Sequence, residues 1–279
     1  MLLLVTKQQL NLNEELLMNK SVKTKENGLD LAVIAEDAKK MSGFGSLNLA
    51  RDTAIPYISI LQTSSPQVNP SKAEHIESAK AGQLFNTVTQ ETFNTVEVIP
   101  VFYHLKYVEW KPREQGGGFI ASHDADSGII GQTTRDPMTN KQILPNGNHI
   151  VQTAYHYVIM LTNAGYQNAV ISMSSSQLKK SRRWNSLMLS QKIKGPSGMF
   201  TPPTYAFTYQ LSTVSESNDR GSWFGFQVEK GEQVTDASIY GEGKAFSTAA
   251  SSGAIEAKPE EPKVIAKPQT VESNVDIPF

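Results

Sequence analysis

Hydrophobic positions along this chain change their period several times, and each change marks an element. Between residues 29 and 41, Leu29, Leu31, Ala32, Ile34, Ala35, Ala38 and Met41 recur at spacings of three and four with charges between them, which predicts an amphipathic helix that docks or meets a partner. Gly43-Phe44-Gly45 breaks that pattern, and residues 55 to 61 read as a short strand before the turn-rich Ser64-Ser65-Pro66. Residues 64 to 90 read as a surface loop with a small excursion. The run from 96 to 110 is too β-branched and aromatic for a helix and predicts one long or bent strand. Gly116-Gly117-Gly118 turns into a short strand at 119 to 122, and a polar insertion with Asp136-Pro137 and Pro145-Asn146-Gly147 turns fills 124 to 149. Strands resume at 153 to 161 and 169 to 173, joined by an Asn163-Ala164-Gly165 hairpin, and again at 205 to 214 and 222 to 228.

Helical spacing returns between these strands at 177 to 191 and after them from 234 to 250, where Thr235 or Asp236 offers the cap. The order of strands, one helix and strands again predicts a mainly β fold with a few helices. An elaborated OB-fold barrel fits that order, and so does a β-sandwich with an inserted helix. Beyond residue 251 the pattern dissolves into Ser, Ala, Pro, Glu and Lys, with Pro259, Pro262 and Pro268 opposing regular structure. The chain thus divides into a flexible segment at 1 to 28, one domain at 29 to 250, and a disordered tail at 251 to 279. At the start, the apolar run of residues 1 to 5 has neither the basic flank nor the length of a secretion signal, so a cytoplasmic protein is expected. Glu14-Glu15 can be encoded by purine-rich codons spaced as a ribosome-binding site ahead of Met18, which marks Met18 as a candidate start.

Composition changes this picture only through where the charge lies. The net charge is −1 over 279 residues, yet from Leu178 to Lys194 there are six basic residues (Lys179, Lys180, Arg182, Arg183, Lys192, Lys194) and no acid. As a helix, this segment sets Lys179 and Arg183 on one face with Ser186 and Ser190, and Trp184, Leu187 and Met188 on an apolar stripe. One face then lies on the barrel while the other meets phosphate. Aromatic residues on the strands often recur two apart (Tyr155 and Tyr157, Tyr205, Phe207 and Tyr209, Phe224 and Phe226), or four apart as at Tyr103 and Tyr107, so neighbouring rings share a face. Such a face serves either as a core or as a platform for unpaired bases. Phe102, Phe207 and Phe226 read as core. Tyr103, Tyr107 and Trp110, next to Lys106, Lys111 and Arg113, are better placed for binding, as is Trp184 within the basic helix.

The chain ends Asp276-Ile277-Pro278-Phe279, an apolar tip with no core to join, on a tether of about 25 residues that lets it roam several nanometres. A basic, aromatic, strand-rich domain followed by such a tail resembles a single-stranded-DNA-binding protein of bacteriophage type. That resemblance implies a domain that coats single strands during replication, recombination and repair. It also implies a tip that recruits other DNA-processing proteins, with Pro278 and Phe279 as anchors and Ile277 and Asp276 beside them. The tip departs from the family in its sparse acidity: from Glu256 to Asp276 five acids stand against three lysines, so recruitment is better supported than competition with DNA.

Enzyme readings find less. Glu109-Trp110-Lys111 has the Glu-x-Lys spacing of some Mg²⁺-dependent nucleases, but no Asp stands just upstream. Asp124-Ala125-Asp126-Ser127-Gly128 opens like a calcium loop and fails at Arg135, where a Glu is needed. There is no phosphate-binding Gly-rich loop followed by Lys and Ser or Thr, no cysteine, no close histidine spacing and no long apolar run. No cofactor, metal or membrane is expected. An ATP-independent annealing protein, a nuclease and a virion or scaffold protein remain as alternatives.

Overall fold

The strand that organises the molecule is β4 (Val96–Trp110), fifteen residues long as its composition predicts. It pairs along nearly its whole length with β8 (His149–Thr162), and this long antiparallel ribbon is shared by two half-sheets. The computed structural model describes residues 55–258, except Ala164 and Arg220, together with Ala32 and Glu36. The predicted helix at 29 to 41 lies outside the described residues, apart from Ala32 and Glu36, which are helical and exposed. Met18 and the terminal tip also lie outside them.

At one end of the ribbon, β4 pairs with β12 (Phe207–Asn218) and β8 with β9 (Gly165–Ser174), while β13 (Gly221–Gln233) continues beyond β12. The ladder there runs β13-β12-β4-β8-β9, all antiparallel, with α1 (Leu178–Leu189) inserted between β9 and β12 in the chain. At the other end, β4 takes β5 (Phe119–Asp124), and β8 takes β7 (Gln142–Ile143), which pairs with β6 (Thr134–Arg135). A register shift between Pro100 and Phe102 bends β4 between its two sets of neighbours. This mainly β architecture, a sheet curled into a half-barrel, matches the fold class read from the sequence.

The open side between β9 and β13 is closed by the segment around β1 (Ile58–Ile60), which forms a small sheet with β2 (Leu84–Asn86) and β3 (Thr92–Phe93). Tyr57 bridges to Val170 of β9, and the Val170 N–H donates to the Pro56 carbonyl at 2.9 Å. On the other side, the Gln62 amide donates to the Phe224 carbonyl and accepts from the Phe224 N–H, both at 2.9 Å, as a neighbouring strand would. The Phe226 N–H is taken by the Gln177 side chain at 2.9 Å.

Two apolar clusters follow from this curl. Inside the half-barrel, Val98, Ala154, Met160, Ile171, Trp184, Tyr209, Leu211 and Phe226 are buried with β1 and β2 residues. On the outer face, Ile99, Val101, Tyr155, Tyr157 and Ile159 are covered by α2 (Ala237–Ser251), whose Asp236 side chain caps the Ser238 and Ile239 N–H groups. The chain then runs on over the same face. The Ala257 N–H donates to the Tyr157 hydroxyl at 2.9 Å, Ala257 is buried, and Glu256 reaches Lys106 at 3.2 Å. Residues 251 to 258, expected to belong to the tail, are therefore part of the folded domain, because residues 255 to 258 add apolar contacts and hydrogen bonds that a linker lacks.

Candidate nucleic-acid interface

One of the two basic groups singled out in the sequence lines a cleft, which the first residue of the basic helix also reaches. Where β4 ends, Lys111 and Arg113 project into solvent after the buried Trp110, and the 38-residue connection to β8 folds back beside them. The resulting cleft of about 580 Å³ is lined by Trp110, Lys111, Arg113 and Lys141 and also by Ser175 and Leu178. Leu178 is the first residue of the basic helix. Ser175 holds a left-handed φ of 51° at the turn from β9 into that helix, a conformation costly for a residue with a Cβ.

Helix α1 is held by its apolar stripe. Ser181, Trp184 and Met188 are buried, and Trp184 stacks on the buried His156 with centroids 4.4 Å apart. The His156 Nε2 is 2.8 Å from the Ser181 hydroxyl. Facing outward on the opposite stripe are Lys179, Arg182, Arg183, Ser186 and Ser190. Two lysines and no acid occupy the first turn, where the helix dipole already favours anions, so this end of α1 concentrates positive potential. Lys180 is partly neutralised by Glu216 at 2.9 Å. After α1, the exposed Lys192 and Lys194 flank and enter a hairpin of β10 (Ile193–Gly195) and β11 (Gly198–Phe200), on which Met199 and Phe200 are also exposed.

Several expected binding residues are placed elsewhere. Trp184 has no exposed surface and belongs to the core, because helical spacing puts it on the stripe facing the barrel. Trp110 is 7% exposed, so its ring does not offer a free face. Tyr103 points inward, with its ring 5.1 Å from His156. Tyr107 is half-buried. The Lys106 ammonium is held by Asp124 at 2.9 Å and Glu256 at 3.2 Å; burial alone would lower its pKa, but the two carboxylates raise it. The aromatic platform likewise resolves into core, since Tyr155, Tyr157, Phe207, Tyr209 and Phe226 are all buried. Phe207 and Phe226 were expected there.

Glu109 is engaged by its own surroundings. It is 7% exposed, with the His123 ring 2.9 Å away and the Asn148 amide donating at 2.5 Å. Burial alone would raise its pKa, and these hydrogen bonds, with one from Asn146, lower it overall. The network ties the 145 to 148 turn onto β4. Among the described residues, no group of three or more His, Cys, Asp or Glu is arranged to hold a metal, and no helix is long and apolar enough to cross a membrane.

The sequence reading missed Lys141 and the exposed rings of Phe119 and Phe200. A usable signal existed: no Asp or Glu occurs between Asp136 and Glu216, a stretch that carries seven Lys and Arg. That run includes Lys141 as well as the whole helix and hairpin. No curated protein and no solved structure matches the chain. The family model described as Pam3 phage gp34-like protein matches residues 24–256, most of the chain, and the chain belongs to that phage protein family.

Proposed function

We propose that this protein binds single-stranded DNA without strong sequence preference, along a track from the cleft over Lys179, Arg182 and Arg183 to Lys192 and Lys194. The observation that carries the reading is the cleft itself, which Lys111, Arg113 and Lys141 line together with Leu178, the first residue of a basic helix. Phosphates of a flexible strand suit a curved line of cations, and exposed rings at Phe119 and Phe200 supply stacking surface beside it.

Topology supports the same reading. Taken in chain order, β4, β8, β9, β12 and β13 form a ladder third, second, first, fourth, fifth, with α1 between the third and fourth strands. An OB-fold barrel has this order, and its connection between strands one and two is a common oligonucleotide contact. Here that connection contributes Lys111, Arg113 and Lys141. The outer face of β4 and β8 is covered by α2 and residues 255 to 258, which favours the connection and α1 over that face as the contact surface. In a phage-infected cell, the protein would act in the host cytoplasm during replication, recombination or repair, and Asp276-Ile277-Pro278-Phe279 would recruit partner proteins. The reading involves no catalysis and no cofactor.

Titration with oligo-dT and with duplex of equal length tests the proposal. Tight, salt-sensitive binding to oligo-dT with much weaker binding to duplex is expected; equal affinity for both, or none, rejects it. Replacing Lys179, Arg182 and Arg183 together by Ala lowers the salt slope by about 2, at roughly 0.7 per phosphate contact on a single strand. An unchanged slope removes α1 from the site. Deleting Phe279 leaves oligo-dT affinity intact and abolishes partner capture.

A further inference from the structure

The cleft at the head of the track is more than a patch of cations. Its volume of about 580 Å³ lies in the range of pockets that enclose a small ligand, and its lining is chemically mixed. Lys111, Arg113 and Lys141 are exposed at its walls. The amides of Asn140, Gln142 and Gln152 also line it, and each carries both a donor and an acceptor. Trp110 lines it too, 93% buried, so its ring forms part of one wall. Glu114, also in the lining, offers a carboxylate to a base N–H. Cations for a phosphate and paired donors and acceptors for a planar polar ring together describe a nucleotide.

We infer that the cleft takes one unpaired nucleotide of the bound strand, base inward, with its phosphate on Lys111, Arg113 and Lys141. This rests on the proposed single-strand function for its setting, but the pocket itself makes a separate claim. A track of phosphate contacts alone is indifferent to a free mononucleotide. A cleft that offers cations and amides beside the Trp110 ring binds one, and the indole resonance reports it.

The chain has three tryptophans, so the indole N–H resonances of ¹⁵N-labelled full-length protein are few enough to assign with Trp110→Phe. Adding dTMP shifts the Trp110 indole resonance saturably and leaves that of the core residue Trp184 in place. Arg113→Ala and Lys141→Ala, both at exposed positions, weaken the dTMP response roughly tenfold or more. Inorganic phosphate at the same concentration leaves the Trp110 resonance unmoved; if it reproduces the dTMP shift, the cleft is an anion site and the inference fails. Tight oligo-dT binding with no Trp110 shift from either oligo-dT or dTMP overturns the pocket and leaves the function standing. A dTMP response without oligo-dT binding overturns the function and leaves the pocket.

Discussion

His156 lies fully buried between the rings of Trp184 and Tyr103, and burial alone drives its pKa from 6.5 to about 3. In the folded protein it is neutral, whereas the unfolded chain takes up a proton near pH 6.5. Stability is therefore fully present above about 6.5 and declines as the pH falls toward 3, where the folded state also binds the proton. One differential proton corresponds to about 1.4 kcal/mol per pH unit within that window. Urea unfolding at pH 7, 5 and 4 measures the slope, and His156→Gln, which keeps an amide for the Ser181 hydroxyl, shows a shallower one. Equal slopes would mean that the acid sensitivity comes from carboxylates alone. Nothing in the sequence marks His156 apart from its place in a strand. Its role depends on Ser181 and Trp184, 25 and 28 positions away along the chain, which only the fold brings to it.

Among elements, those with a strong local signal were legible. β4 was read with its observed bounds because nine of its fifteen residues are β-branched or aromatic, and α1 was read to within two residues because its apolar stripe has helical spacing. The β10 and β11 hairpin went unseen, since Gly195-Pro196-Ser197-Gly198 reads as loop and each arm has only three residues. The closure at β13 was also invisible: no sequence feature says that a glutamine amide will stand in for a strand. Gly82 serves the same closure. It holds a φ of +89°, and a Cβ there would meet the Phe224 ring at 2.8 Å. Gln62→Ala leaves the Phe224 N–H and carbonyl without their partner and costs about 1–3 kcal/mol. Hydrogen exchange localises the loss: the amide of Phe224 loses protection while those of the β4 and β8 ribbon keep theirs. Uniform loss along the sheet would show instead that the Gln62 contact supports the whole barrel.

For the whole molecule, the candidate site was legible as charge and misread as aromatics. Cations announce themselves in a stretch without acids, but a ring two residues from another lies on an inner or an outer face according to packing that spacing does not reveal. The same limit set the tail boundary too early, because Ile255 and Ala257 are too sparse to signal burial and find their partners on α2 and on strands far back in the chain. This makes the domain's end testable. Truncation after Lys258 keeps every described contact of the outer cluster and leaves the melting temperature unchanged. Truncation after Ser251 keeps α2 whole but removes Ile255 and Ala257 from the cluster, the Ala257 hydrogen bond to Tyr157, and the Glu256 partner of Lys106. A loss of about 2–3 kcal/mol, from burial of two small apolar side chains and a hydrogen bond, lowers the melting temperature of a domain this size by roughly 5–10 °C. The second truncation also frees the Lys106 ammonium from one of its two carboxylates without touching α1 or the cleft. Oligo-dT affinity that rises on this truncation would assign Lys106 to the DNA surface, whereas unchanged affinity confines binding to the track that begins at Lys111.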